Sequence, residues 1–280
     1  MFDGLPVRYK TNMPRRLRQL MREKDCVICP GVFDGISAHI ANGAGFDALY
    51  LAGSGASGSV IGEPELSVIS GTELADTARM IVGISDTPVI ANADTGFGGL
   101  LNVARTVALY ELRALRAVIL RTKPKRCGQL SGKDVVDMET YLERISAAVQ
   151  ARRNPDFIII APTDARNGVQ FGSPDAGEEA FEGVKRLKAA LAAGADVAFM
   201  ESPRSMEESE RLVKALAPHP VMINVLPNGL TGNHKIEDCK RLGFKLAIYP
   251  CTGFIPATIA MDKSYTALRD KGTDLDACGG

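Results

Sequence analysis

Eight short and almost continuously apolar segments recur along the chain and predict β-strands. They cover residues 26–34, 48–53, 88–94, 117–121, 156–164, 196–202, 220–226 and 244–250. Segments without alternating apolar and polar residues are typical of strands buried on both faces of a parallel sheet.

Amphipathic segments between these strands predict helices, for example over residues 100–116 and 176–194. The second has acids early, bases later and a closing Gly194, which is the usual polarity of a helix. Eight strands alternating with helices predict an α/β fold of the (β/α)8 TIM-barrel type, with a doubly wound open sheet as the alternative. We expect an N-terminal helical arm over residues 1–25, one barrel domain over 26–270 and a flexible tail over 271–280.

Composition and charge narrow the range of partners. The chain has 280 residues, of which 45% are hydrophobic, and 33 basic residues balance 33 acidic ones. We therefore expect a small-molecule substrate and neither nucleic acid nor membrane as a partner. Six scattered cysteines favour a reducing, cytoplasmic setting, and the zinc-like pair Cys26 and Cys29 lacks a second pair, so it is expected in the core.

A barrel carries its active site at the carboxyl ends of its strands and in the loops after them. Polar residues and glycines lie at these positions in this chain: Asp34, Gly53, Ser54, Gly55, Asn92, Asp94, Arg121, Thr163, Asp164, Glu201 and Asn224. This concentration exceeds what a solvated rim needs and predicts a functional site there.

Two segments near these ends suggest ligands for a metal ion or an anion. Asp94, in 91–99, could bind Mg²⁺ through oxygen or cap the next helix. The segment 51–66 reads as a glycine-rich loop whose amides could hold an anion. Within it, Glu63 and Glu65 face either the pocket or solvent.

The segment "KRCG" places a cysteine between two cations and a glycine. Lys125 and Arg126 should favour the thiolate form of Cys127, which could then act as acid, base or nucleophile. A buried structural cysteine is the alternative. The histidines His39, His219 and His234 are expected at the surface.

In order along the chain, the motifs "GEPEL", "ADTGFGG", "PKRCGQLSGK", "APTDAR", "VAFMES" and "PVMINV" resemble those of the isocitrate lyase and phosphoenolpyruvate mutase superfamily. The resemblance is strongest to its 2-methylisocitrate lyase, dimethylmalate lyase and oxaloacetate hydrolase branch. It implies a barrel whose last helix swaps onto a neighbouring subunit, usually in a homotetramer. It also implies Mg²⁺-assisted enolate chemistry, with Cys127 as acid or base on a closing loop and with Asp94, Glu201 and Asn224 serving metal or substrate.

Several positions depart from the pattern of that superfamily. One acid of its "DAD" motif is Asn92, and its "GxPD" aspartate is Glu65. Its "HIED" strand end reads Ile119, Leu120, Arg121, and the histidine after its loop cysteine is Gln129. Its substrate-gripping arginine is Pro162, and the serine or threonine that contacts the substrate carboxylate is Ala52.

These departures remove acids from the metal side of the site and add a base. Asp94 and Glu65 are the remaining candidate metal ligands, so we expect no cofactor and keep Mg²⁺ as the alternative. The expected catalytic residues are Cys127, Arg121, Lys125 and Arg126. The expected substrate-binding residues are Gly53, Ser54, Gly55, Asn92, Gln129, Glu201 and Asn224.

Three functional hypotheses follow from this set of residues. The first is a divergent carbon–carbon lyase in specialised metabolism, doing enol or enolate chemistry (cleavage, decarboxylation, rearrangement or cyclisation) without the metal. The second is a conventional Mg²⁺-dependent lyase or hydrolase of a small 2-hydroxy or 2-oxo dicarboxylate. The third is a catalytically silent barrel that serves as a scaffold.

Overall fold

A computed structural model describes residues 13–119, 135–168 and 182–279 of the chain. Within them, eight parallel strands close into a barrel in the order β1 to β8, which confirms the predicted fold. The strands are β1 Val27–Val32, β2 Leu49–Leu51, β3 Val89–Asn92, β4 Ala117–Ile119, β5 Ile158–Thr163, β6 Val197–Met200, β7 Val221–Asn224 and β8 Leu246–Tyr249.

Ten α-helices lie in the described ranges and connect or flank these strands. They are α1 Met13–Glu23, α2 Gly35–Gly43, α3 Gly53–Val60, α4 Gly71–Ile84, α5 Leu100–Leu112, α6 Met138–Ala151, α7 Glu182–Ala192, α8 Met206–Leu216, α9 Ile236–Leu242 and α10 Phe254–Lys271. No helix in the described part of the chain combines the length and apolar character needed to cross a bilayer.

The barrel explains why the strands lack a polar face. Along β5, Ile158 and Ile160 belong to the cluster inside the barrel, whereas Ile159 packs in the layer between strands and helices. β4 shows the same alternation, with Ile119 inside and Val118 outside. Both faces of each strand are therefore removed from water, and an apolar residue is favoured at every position.

Helix α1 closes the amino-terminal end of the barrel. Leu17 and Leu20 are fully or almost fully buried and join the cluster inside the barrel. Arg18 fixes the helix from its other side, donating 2.7 Å to Asp196 Oδ1 and also to the carbonyl oxygens of Pro155 and Asp156. The interior of the barrel is therefore closed at this end, and a substrate can enter it from the opposite end.

Half of the segment expected to be a glycine-rich loop, Gly53–Val60 of residues 51–66, is the helix α3, so the loop prediction was wrong for the glycines of this helix. Ala52 accepts from the amide of Ala56 and starts α3 directly after β2. The glycines serve close packing, because a Cβ at Gly55 would lie 2.7 Å from Phe33 and one at Gly58 would lie 2.7 Å from Phe254. Glycine at these positions therefore reflects the close approach of α3 to Phe33 and Phe254, and it does not indicate a flexible loop.

Candidate active site

Two groups of polar side chains face each other across the carboxyl end of the barrel. One group comprises Asn92 and Asp94 at the end of β3, together with Glu65 from the segment between α3 and α4. The other comprises Glu201, directly after β6, and Asn224 at the end of β7. Because β3 and β7 lie on opposite sides of an eight-stranded ring, the two groups border the barrel mouth.

Asn92 is held on every side by the protein. Its Nδ2 donates to Glu65 Oε1 at 2.5 Å, and its Oδ1 accepts from the amide of Asp94 at 3.1 Å. Its carbonyl oxygen accepts from the hydroxyl of Tyr110 at 2.9 Å. Burial and the nearby charge of Asp94 raise the pKa of Tyr110, so the phenol remains a donor.

Gly53 permits this arrangement. A Cβ at Gly53 would collide with Asn92 Nδ2 and with the carboxylate of Glu65. The amides of Gly53, Ser54 and Gly55 are in the first turn of α3, where helical acceptors are absent. They can therefore donate to an anion. The segment is a helix and not a loop, but the predicted substrate-binding role of these residues stays a prediction, with the helix N-terminus as the binding group.

Asp94 lies in the left-handed region of backbone space, with φ of 46°, and is only 6% exposed. It does not cap the next helix, because α5 begins at Leu100 with Gly99 as its cap. A non-glycine residue held at positive φ is strained and is often found at a functional site. Its carboxylate accepts no hydrogen bond from a described residue, which leaves it available to a ligand.

Glu201 and Asn224 form the second group. Asn224 Nδ2 donates to Glu201 Oε1 at 3.2 Å, and both residues are buried. Asn224 Oδ1 and the neighbouring Ser202 Oγ are buried without a hydrogen-bond partner among the described residues. Buried polar atoms without partners are costly, so these two atoms are suited to meet polar groups of a substrate.

The candidate metal ligands around Asp94 and Glu65 do not fit a carboxylate-rich magnesium site. Glu65 is already bound to the amide of Asn92, and Asp94 is the remaining acid on this side. Across the described ranges, no group of three or more His, Cys, Asp or Glu side chains is placed to hold a metal ion. Where the resemblance to the superfamily implies further acids, after Ile119, this sequence has Leu120 and Arg121.

Several predicted residues lie outside the described residues: Arg121, Lys125, Arg126, Cys127 and Gln129. Their expected catalytic and substrate-binding roles stay predictions. Among the histidines, His39 and His219 are exposed as expected, but His234 is 5% exposed. The surface prediction for His234 was wrong: its ring is buried, and Tyr249 donates to its carbonyl oxygen at 3.3 Å.

Cys251 follows β8 and lies outside every motif that the sequence points to. It is half-buried, and burial together with the negative charge of Glu65 raises its pKa. Cys26 and Cys29 are buried in and beside β1, as predicted, and burial raises the pKa of Cys26 to about 12. These thiols are therefore neutral at ordinary pH. The proximity of Cys251 to Glu65 arises from barrel closure and has no local sequence signal.

Comparison with known proteins identifies the family. The family model described as phosphoenolpyruvate phosphomutase matches residues 17–269. The chain belongs to this family, within the isocitrate lyase and phosphoenolpyruvate mutase superfamily. The resemblance inferred from the motifs is thereby confirmed.

Individual relatives cover nearly the whole chain. It is 38% identical to 2,3-dimethylmalate lyase of Eubacterium barkeri over 94% of this chain and 88% of that protein. It is 36% identical to a 2-methylisocitrate lyase of Aeropyrum pernix over 93% of this chain and 81% of that protein. Among solved structures, oxaloacetate acetylhydrolase with 3,3-difluorooxalacetate is 37% identical and has a TM-score of 0.85, covering 95% of this chain and 93% of that one.

Proposed function

We propose that this chain is a divergent carbon–carbon lyase of its superfamily, acting on a small carboxylate by enol or enolate chemistry without Mg²⁺. The hydrogen bond from Asn92 to Glu65 is the observation that carries this proposal. This hydrogen bond engages the Glu65 carboxylate, which a cation would need as a ligand. It also places an amide at position 92, where the resemblance implies a second acid. A substrate outside the usual dicarboxylates, as in specialised metabolism, accords with Pro162 and Ala52.

The described residues have definable tasks in such a reaction. The first-turn amides of α3 can receive a carboxylate, and Asn224 Oδ1 can accept a hydrogen bond from a substrate hydroxyl. In a retro-aldol cleavage, a base takes the hydroxyl proton, the carbon–carbon bond breaks and the electron pair remains on the enolate. We assign the return of a proton to carbon to Cys127, and stabilisation of the enolate charge to Arg121, Lys125 and Arg126.

A second candidate is the conventional Mg²⁺-dependent lyase or hydrolase of a small 2-hydroxy or 2-oxo dicarboxylate. The carboxylate of Asp94 favours it, because that group is buried and accepts no hydrogen bond from the residues described. Mg²⁺ often keeps several waters and takes only one or two protein carboxylates. In this case Asp94 and Glu65 would hold the ion, which would supply charge stabilisation to the enolate oxygen.

Release of 2-oxo acids from substituted malates, isocitrates and oxaloacetate, measured with Mg²⁺ and again with EDTA, separates the two candidates. Turnover that persists in EDTA supports the metal-free proposal, and turnover that EDTA abolishes supports the conventional enzyme. Silence under both conditions on every substrate of the panel counts against the conventional enzyme.

The variant Cys127→Ser tests the catalytic role that we give to Cys127, since a silent scaffold would show no turnover for the substitution to lower. Loss of a proton-transferring group lowers turnover by about 10²–10⁴-fold when that group takes part in the chemistry. The matched variant Cys278→Ser changes an exposed thiol in the C-terminal region and should leave turnover unchanged. Equal turnover in Cys127→Ser and the wild type would contradict the role given to Cys127.

We also propose that α10 packs on a neighbouring subunit, in a homotetramer. None of its residues, from Phe254 to Lys271, is buried. Ile255, Ile259, Met261, Tyr265 and Leu268 are between 40% and 71% exposed. A long helix with this much apolar surface is stabilised by burial against a partner. A second copy of this chain supplies the same surface in return, as an isologous interface requires.

A further inference from the structure

A cavity of about 320 Å³ lies at the amino-terminal end of the barrel, opposite the candidate active site. Its walls include Arg116, which directly precedes β4, and Phe157, which directly precedes β5. Ala108 and Leu112 of α5 supply its accessible apolar surface, since Pro14 and Phe157 are buried. The volume is near the lower end of the range for small-molecule sites.

The guanidinium of Arg116 makes no hydrogen bond or ion pair with any residue in the described ranges. Its backbone is fixed, because its amide donates to Val89 at 3.1 Å and its carbonyl oxygen accepts from Ile158 at 3.1 Å. Burial without a compensating acid lowers the pKa of Arg116 to about 10, which still leaves it charged at neutral pH. A partly buried charge without a partner is unfavourable, and an anion would relieve that cost.

Glu111 is the acid in the wall of this cavity, and its carboxylate binds backbone amides and not the guanidinium of Arg116. Its carboxylate accepts from the amide of Arg153 at 3.0 Å and from the amide of Asn154 at 2.9 Å. Arg153 also lines the cavity and has no ion pair among the described residues. Two guanidinium groups and one carboxylate leave a net positive charge at the mouth of the cavity.

The loop that carries Arg153 and Asn154 is held firmly. Arg18 donates to the carbonyl oxygens of Pro155 and Asp156, and Asn154 Oδ1 accepts from the amide of Asp156 at 2.9 Å. A cavity with rigid walls loses little conformational entropy when a ligand binds. Its walls place the guanidinium of Arg116 beside apolar surface. A ligand that suits both is an anion with a small apolar group.

We propose that this cavity binds a small organic anion, with a carboxylate or phosphate group paired to Arg116 and a short apolar body against Leu112 and Ala108. A guanidinium pairs with either headgroup through two parallel hydrogen bonds. The site is separate from the carboxyl-end site and does not depend on the reaction proposed there.

Calorimetric titration of the full chain tests this site with four probes. Phenyl phosphate and benzoate carry both headgroup and ring, inorganic phosphate carries only the charge, and benzyl alcohol carries only the ring. We expect one or both ring-bearing anions to bind more tightly than inorganic phosphate or benzyl alcohol. Comparison of phenyl phosphate with benzoate identifies the preferred headgroup. Absence of binding by the wild type to both ring-bearing anions would overturn the proposal.

Two arginine variants of equal charge locate the site. Arg116→Gln should weaken binding by roughly tenfold to a hundredfold, because it removes charged hydrogen bonds. Arg105→Gln, at an exposed position of the same α5 region, should bind as the wild type does. If Arg116→Gln does not fold, Arg116→Lys keeps the charge without the fork and should still weaken binding. Undiminished binding in the folded Arg116 variant would overturn the proposal.

The variant Asn224→Ala tests whether the probes bind beside Glu201 and Asn224 at the barrel mouth. Asn224 lies at the opposite end of the barrel, so its loss should leave the affinity for phenyl phosphate or benzoate unchanged. Loss of binding in Asn224→Ala, with binding retained in Arg116→Gln, would place the anion in the carboxyl-end site and refute the inference.

Discussion

At the scale of single residues, Asn92 places a neutral amide where the resemblance implies a carboxylate, and this amide hydrogen-bonds to Glu65. The amide joins Glu65 to the end of β3, and its Oδ1 positions the strained backbone of Asp94. A carboxylate at position 92 could not donate to Glu65 and would repel it. The residue at position 92 therefore decides whether its side chain hydrogen-bonds to Glu65 or repels it.

The variant Asn92→Asp should lose stability in EDTA and recover it with Mg²⁺. Replacing the hydrogen bond with two facing acids costs about 1–3 kcal/mol, and the Tm should fall by roughly 2–8 °C. A divalent cation would neutralise both acids and restore much of the loss. Thermal unfolding of the variant and the wild type, each with Mg²⁺ and with EDTA, measures the effect.

Asn102→Asp is the matched control, because it adds the same charge at an exposed position in the first turn of α5. A negative charge is favourable there, so its Tm should not fall. An Asn92→Asp variant as stable as the wild type in EDTA would contradict the structural role given to the amide.

At the scale of elements, Asp196 joins α1 to the start of two strands. It binds Arg18 at 2.7 Å and Arg152 at 2.6 Å, and its Oδ2 accepts from the amide of Ile159 at 2.8 Å. The three side chains are mostly buried. This ionic cluster fixes the helix whose leucines close the barrel, and Arg18 also fixes one wall of the cavity beside Arg116.

The variant Asp196→Asn should lower the free energy of unfolding by about 3 kcal/mol, because it leaves two largely buried arginines without their acid. Urea unfolding measures the loss. The control Asp276→Asn removes an exposed partner from a 3.7 Å pair with Lys271, and its effect should stay within about 0.5 kcal/mol. Equal midpoints for the two variants would show that the cluster adds nothing.

At the scale of the whole molecule, α10 extends away from the barrel that precedes it. Phe254, at its start, packs edge-on against Phe33 at 5.3 Å, and the remainder of the helix has no buried residue. In proteins most of the stability of a helix comes from tertiary packing of its apolar face, which α10 does not find within the described part of this chain. Assembly with other copies would supply that packing.

The variant Ile259→Glu should reduce the size of the assembly, because a charge at a half-exposed apolar position would be buried in the proposed interface. Light scattering after size-exclusion chromatography measures the mass. Ala260→Glu adds the same charge at an exposed position about 100° further around the helix, next to Lys263 and Ser264, and should keep the mass of the wild type. A monomeric wild type across a wide range of concentration would contradict the assembly.

The apolar pattern determined the fold, because a strand buried on both faces must be apolar throughout, whatever its neighbours. The motifs determined the family, and the departures at Asn92 and Glu65 were visible as residue types. Only the tertiary structure showed that these two side chains hydrogen-bond and that Asp94 is strained. It also revealed a helix in place of the glycine-rich loop, the burial of His234 and the unpaired Arg116. These features depend on distances between residues remote in the chain, which closure of the barrel sets and local sequence does not encode.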